Sequence, residues 1–291
     1  MITRIFTGII GISIIAIMIQ QGGRVFAGMS LILAFIAWHE LSDLLERRRI
    51  HLTYVFGFIA ITGILGIAYM SSATHLFSSI TFSTIILPAM LAISFWILIL
   101  TLIFYQLVNP PDALASIGGI FYIGFPFAFL ILLRGMGSDL IETPLDQYGI
   151  HLQLGSALVW MMFLGTWASD TFAYFVGTAF GSHRLAPSIS PKKSVEGFLG
   201  GVLGTVATTS LVGNLIFHFP AIEMAVFGFG IAIAATIGDL VESVIKRFAG
   251  MKDSGDIIPG HGGVLDRFDS LLFTAPAAYY FFIYIFTIGE F

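Results

Sequence analysis

Between Asp239 and Asp269 the chain gathers the kinds of side chain that phosphate chemistry uses. In "DLVESVIKR", Asp239, Glu242 and Lys246 recur at i, i+3 and i+7, so on a helix they share a face, with Ser243 and Arg247 beside them. The stretch "KDSGDIIPGHGGVLDRFDS" (Lys252 to Ser270) then supplies Lys252, Asp253, His261, Gly262, Gly263, Asp266, Arg267 and Asp269. Asp266 and Asp269 stand at i and i+3 where a helix is expected to start. The glycines leave the backbone free for positive φ and for close approach to a ligand. A glycine-rich turn running into a helix is also where backbone N–H groups collect to face phosphate oxygens.

Carboxylates that hold a metal, bases around them and small residues between are the parts of metal-assisted phosphoryl or nucleotidyl transfer. With 0 Cys and 7 His in the whole chain, the ligands on offer are hard oxygens, which suit Mg²⁺. Asp239, Glu242, Asp266 and Asp269 are the candidate ligands. Plainer readings stand beside this one: Lys246 and Arg247 suit a helix C-terminus, and Asp266 and Asp269 could cap a helix start. His261 is open between proton transfer, a phosphate contact and a loop hydrogen bond.

A second group lies in "WASDTFAYFVGTAFGSHRLAPSISPKKSVEG". Asp170 falls inside an apolar run, with Trp167 and Tyr174 on its helical face, and an ionisable group at membrane depth is a functional candidate. A protonated helix contact is the alternative. Ser188, Ser190, Lys192 and Lys193 follow as a set suited to an anionic ligand. In "GFLGGVLGT", Gly197 with Gly201 and Gly200 with Gly204 carry the spacing of close helix packing, which is also compatible with a homodimer.

These residues are carried by a membrane protein. The chain is 57% hydrophobic, with a mean hydropathy of +0.95 and only 10% charged residues. Its apolar runs are continuous and reach the ~18 residues or more that cross a bilayer, which predicts an all-α polytopic bundle of about nine transmembrane helices. The spans fall at roughly 5 to 20, 25 to 45, 54 to 71, 80 to 107, 113 to 134, 152 to 179, 196 to 217, 222 to 248 and 268 to 289. The first has a basic start at Arg4 but no small-residue cleavage site after it, and is expected to be a retained helix. No soluble domain fits between the spans. The expectation is one polytopic domain over residues 1–291, with the motifs in about 152–291.

Charge sets the orientation. With the N-terminus inside, all 13 Lys and Arg except Arg24 and Arg134 fall on the inner side. This predicts a cytoplasmic N-terminus, an outer C-terminus and both polar segments in the nucleotide-containing compartment. A formal net charge of -4 leaves no basic surface for nucleic acid.

The run from Ser243 through "VIKR" and "KDSGDIIPGHGGVLDRFD" resembles the signature of the phosphatidate cytidylyltransferases, also called CDP-diacylglycerol synthases. "WASDTFAYFVG" and "LAPSISPKKSVEG" are similar to a second block of that family. The N-terminal half resembles it only in being hydrophobic. The resemblance implies that CTP and phosphatidic acid become CDP-diacylglycerol and pyrophosphate, with Mg²⁺ required and a monovalent cation such as K⁺ as a second candidate. It implies that Asp266, Asp269 and Asp239 serve the metal site, and it places the enzyme in the cytoplasmic membrane of a bacterium. Thr178 departs from the family pattern, which has a basic residue there, and Arg184 is a candidate to replace that contact. Two rival activities use some of the same residues: a lipid-alcohol kinase using CTP or ATP, and an ion-coupled transporter. The first has no need to hold a phosphomonoester acceptor. The second is disfavoured by polar residues clustered at one membrane face and by the lack of a visible inverted repeat.

Overall fold

Hydrocarbon offers backbone N–H and C=O groups no water, so long apolar runs fold as helices that satisfy their own hydrogen bonds. The computed structural model describes residues 2–73, 79–104, 109–258, 260 and 262–288. Its helices are α1 (Ile2–Gln21), α2 (Gly23–Glu46), α3 (Tyr54–Ala73), α4 (Ser79–Ile103), α5 (Pro110–Arg134), α6 (Leu154–Phe180), α7 (Val195–Leu215), α8 (Ala221–Ala249), α9 (Leu265–Phe268) and α10 (Leu271–Ile288). Two small antiparallel hairpins accompany them, β1 (Leu140–Ile141) with β2 (Leu152–Gln153), and β3 (Arg184–Ala186) with β4 (Ser190–Ser194).

Among the described residues, six segments are long and apolar enough to cross a membrane: α2, α3, α5, α7, α8 and Leu265–Phe286. Shorter apolar helical stretches run over Phe6–Gln21 and Met90–Ile103. Large apolar side chains also face outward, with Leu203 70% and Ile222 81% exposed. Such a surface fits lipid rather than water, and the protein is a helical membrane protein. Each expected span overlaps one long helix; residues 105–107 of the fourth and residue 289 of the ninth lie outside the described residues.

The expected ninth span differs at its start. The chain makes the single turn of α9, then a turn at Asp269 and Ser270, and only then α10. The Asp269 carboxylate accepts a hydrogen bond from the next backbone N–H, Ser270 N, at 2.6 Å. A local bond of this kind competes with helix formation, so Asp266 and Asp269 do not continue one helix.

The chain divides into two compact units, Met1–Gly135 with Ile245–Phe268, and Met136–Val244 with Asp269–Phe291. In the first, α2, α3 and α5 pack around Trp38, which is fully buried. Gly57 and Gly119 make room for its ring, and its indole N–H donates to the Tyr54 carbonyl at 3.2 Å. The α3 start is held by α5: Asp112 accepts from His51 N and Ser116 Oγ from Thr53 N, at 2.9 and 2.8 Å. Arg134, buried at the end of α5, donates to the Ile19 carbonyl at 2.6 Å and so ties down the end of α1.

In the second unit, Gly197 and Gly201 of α7 lie against Ala173, Gly177 and Ser169 of α6, while Gly200 and Gly204 lie against Val176 and Phe172. The glycine face that the spacing offers for close packing is thus taken by α6 within the same chain. Thr166 of α6 donates to Thr274 of α10 at 3.1 Å, and Thr209 of α7 donates to the Met224 carbonyl of α8 at 2.8 Å. In the connector between α5 and α6, Asp146 accepts from Thr143 N and contacts His151 Nδ1, both at 2.7 Å. These partners hold its carboxyl below the usual carboxylate range.

Candidate active site

In the first unit the polar residues are organised around Asp266. Its Oδ1 meets Lys246 Nζ at 2.7 Å, in a pair whose side chains are only 12% and 6% exposed. Its Oδ2 accepts from Ser254 N at 2.8 Å, Ser254 Oγ at 2.9 Å and Gly263 N at 2.9 Å. A buried carboxylate is costly unless its lone pairs are met, and here both oxygens are. Gly262 adopts φ +86°, which favours glycine, and a Cβ there would lie 2.7 Å from Asp266 Oδ2.

The loop is anchored by a residue that the sequence motifs do not include. Glu40 of α2, 3% exposed, accepts from Val264 N with Oε1 and from Leu265 N with Oε2, each at 2.8 Å. Ser254 Oγ lies 3.4 Å from the same Oε2. The backbone N–H groups expected to face phosphate are therefore met by this chain's own carboxylates, Asp266 at Gly263 and Glu40 at Val264 and Leu265. Gly263 is buried between Glu40 and Ser254; a Cβ there would stand 2.6 Å from Glu40 Oε2. The packing leaves no room for a side chain at this position.

Around this centre the cationic and loop residues point outward. Arg247, Lys252, Asp253 and Arg267 are exposed, and Arg247 donates to the Met251 carbonyl at 3.0 Å. His261 lies outside the described residues.

The second unit brings together Asp239, Lys193 and the chain at Asp269. The sequence "APSISPKKS" reads as a loop but folds as the β3–β4 hairpin, with Arg184 opposite Ser194 and Ala186 opposite Ser190. Strand alternation turns Lys192 and Lys193 to opposite faces. Lys192 is exposed, whereas Lys193 Nζ reaches Asp239 Oδ2 at 2.6 Å, the two side chains being 26% and 29% exposed. Ser243 Oγ donates to Asp239 Oδ1 at 3.3 Å. Ser190 is half-buried at the start of β4, and Ser194 at its end caps α7 by accepting from Gly197 N at 3.1 Å. Gly238 lets the Asp269 carbonyl approach the α8 backbone: a Cβ there would be 2.5 Å from Asp269 O. Glu242 is buried, 1% exposed, and Asp170 is on the exposed side of α6. Thr178 donates to the carbonyls of Tyr174 and Phe175 on its own helix, at 2.8 and 3.0 Å, and Arg184 is exposed on β3.

The donors suit a hard divalent cation in kind. Asp266 and Asp239 each face an ammonium group at 2.7 and 2.6 Å, the position a cation takes beside a carboxylate. Among the described residues, no three His, Cys, Asp or Glu side chains form a ready-made metal cluster. A Mg²⁺ ion takes only one or two carboxylates and leaves its other positions to water and phosphate.

Each unit of this membrane protein thus carries a lysine-paired carboxylate, the kind of group found in proteins that handle charged, phosphate-bearing reactants. The comparisons narrow that class: the chain matches the Cytidylyltransferase family over residues 2–285 and belongs to it. It is 33% identical to the phosphatidate cytidylyltransferase of Staphylococcus saprophyticus over 274 residues, covering 94% of this chain and 95% of that one. It is 32% identical to the Synechocystis protein of the same name over 304 residues, 96% of each chain. The Bacillus subtilis phosphatidate cytidylyltransferase is likewise 32% identical, over 95% of this chain and 96% of its own.

Proposed function

We propose that this chain is a phosphatidate cytidylyltransferase, converting CTP and phosphatidic acid into CDP-diacylglycerol and pyrophosphate. Similarity along almost the whole chain to relatives of that name carries the reading. An anionic phosphate oxygen of phosphatidate attacks the α-phosphorus of CTP. The new O–P bond forms as the bond from that phosphorus to the oxygen bridging to the β-phosphorus breaks, and pyrophosphate leaves with that oxygen. The nucleophile needs no proton removed, so catalysis rests on positioning and charge neutralisation.

Lys246, held by Asp266, and Lys193, held by Asp239, are fixed cations for phosphate oxygens, supported by the exposed Lys192, Arg247, Lys252 and Arg267. Ser190, Asp253, His261 and Asp170 complete the proposed substrate-binding set. Mg²⁺ is the proposed cofactor, with Asp239, Asp266 and Asp269 as ligands and Glu242 beside them, and K⁺ a candidate second ion. When bound, a divalent ion would supply charge neutralisation at the CTP phosphates. The N-terminus and both polar segments are proposed to face the cytoplasm across about nine spans of a bacterial inner membrane, so that CTP arrives from water and phosphatidate from the bilayer.

The test is transfer of label in detergent micelles containing phosphatidate. Label from [α-³²P]CTP should enter a lipid product, and chelation by EDTA should stop it. Lipid labelled from [γ-³²P]CTP instead would identify a kinase, and no labelled lipid from either would overturn the assignment.

A further inference from the structure

We infer that Glu40 is a positioning residue for Asp266, reaching it from the N-terminal half of the chain through Ser254 and the α9 backbone. The inference rests on Asp266 acting in the reaction proposed above. Glu40 is a buried ionisable group near the C-terminal end of α2, and such a group is costly to keep unless its oxygens are met. The carboxylate spans two consecutive N–H groups, Val264 N and Leu265 N, one on each oxygen. Those two residues lie directly before Asp266, so they set the direction from which its side chain leaves the backbone.

The second link is Ser254. Its hydroxyl is 3.4 Å from Glu40 Oε2 and 2.9 Å from Asp266 Oδ2, and it also accepts from Asp266 N at 3.3 Å. One hydroxyl proton cannot serve both carboxylates fully, and the shorter contact is to Asp266. Glu40 thus acts mainly through the backbone, with Ser254 as a shared neighbour. Gly255 and Gly263 make room for it: a Cβ would meet Glu40 at 3.0 Å from Gly255 and 2.6 Å from Gly263. The glycines of the motif and a carboxylate some two hundred residues earlier are therefore parts of one packed arrangement.

Glutamine at position 40 keeps the length but puts an NH₂ group against a backbone N–H. Two measurements on the purified E40Q protein test the inference. Hydrogen exchange should rise at least ~10-fold at the amide of Val264 or Leu265, whichever then faces the NH₂ group, because its protecting acceptor is lost. In the folded fraction isolated by size exclusion, kcat should fall ~10- to 100-fold with KM for CTP changed less than ~3-fold, since the loss falls on a group placed for the transition state. The S254A and E40Q effects should be less than multiplicative in the double variant, as expected for groups sharing one path. If E40Q yields no folded protein, E40D, which withdraws the carboxylate by one methylene, is read the same way. Unchanged amide exchange would overturn the anchor, and raised exchange with wild-type kcat would overturn the positioning role. If the wild-type protein makes no CDP-diacylglycerol, the proposed reaction fails on its own, while the exchange comparison still decides whether Glu40 holds this loop.

Discussion

Asp266 and Asp239 each face a lysine, but their surroundings differ, and so should the consequences of losing them. Asp266 is 6% exposed and accepts four hydrogen bonds; in D266N an amide must direct an NH₂ either at Lys246 Nζ or at the Ser254 and Gly263 donors. Breaking a buried pair from one side costs on the order of 3 kcal/mol, so D266N should melt several degrees lower. Asp239 is 29% exposed and its pair with Lys193 is closer to a surface contact, worth about 0 to 1 kcal/mol. D239N should therefore keep a near wild-type melting temperature. Both variants should lose activity at least ~100-fold, the scale of removing a preorganised electrostatic contact. Thermal melting in detergent beside kcat/KM separates the two. Equal melting temperatures with equal activity loss would show that the Asp266 network adds nothing to the fold.

The glycines report at the scale of elements, and they fall into two kinds. Gly262 and Gly263 belong to the loop before α9, where one needs positive φ and the other packs on Glu40. G263V should lower the melting temperature and activity together, since the added methyls collide with Glu40 and Ser254. Preserved stability with lost turnover would instead restore a ligand-access role. Gly204 belongs to the α6–α7 contact, where any side chain meets the Phe172 ring. G204L should destabilise the protein by overpacking, ~1 to 3 kcal/mol, without changing KM for CTP in the folded fraction.

The helices themselves were legible in the sequence, because membrane length and continuous hydropathy leave little choice. So were Asp239, Lys246 and Asp266, whose charges stand out against an apolar chain. The β3–β4 hairpin was not, since two short strands, one followed by Pro187 and the other containing Pro191, carry no hydropathy alternation. Nor was Glu40, one of three carboxylates in "AWHELSDLLE": its partners are distant backbone N–H groups, which leave no mark in side-chain spacing.

For the whole molecule, the decisive question is which side of the membrane the polar segments occupy. Charge counting assigns Ser188, in the β3–β4 turn, to the cytoplasm and Ser138, after α5, to the outside. Both residues are exposed, and the chain has 0 Cys, so S188C and S138C each introduce a single accessible thiol. Ser254 is unsuitable for this purpose because it is 6% exposed and bonded to Asp266. In intact right-side-out vesicles an impermeant maleimide should label S138C at once and S188C only after the membrane is opened. This orientation follows from charge alone and not from family membership, so it constrains the reaction independently. Lys193 lies on β4, directly after that turn, and its partner Asp239 belongs to the candidate site. If S188C were labelled from outside, this cluster would face a compartment without CTP, and a cytidylyl transfer drawing on cytoplasmic nucleotide could not use it.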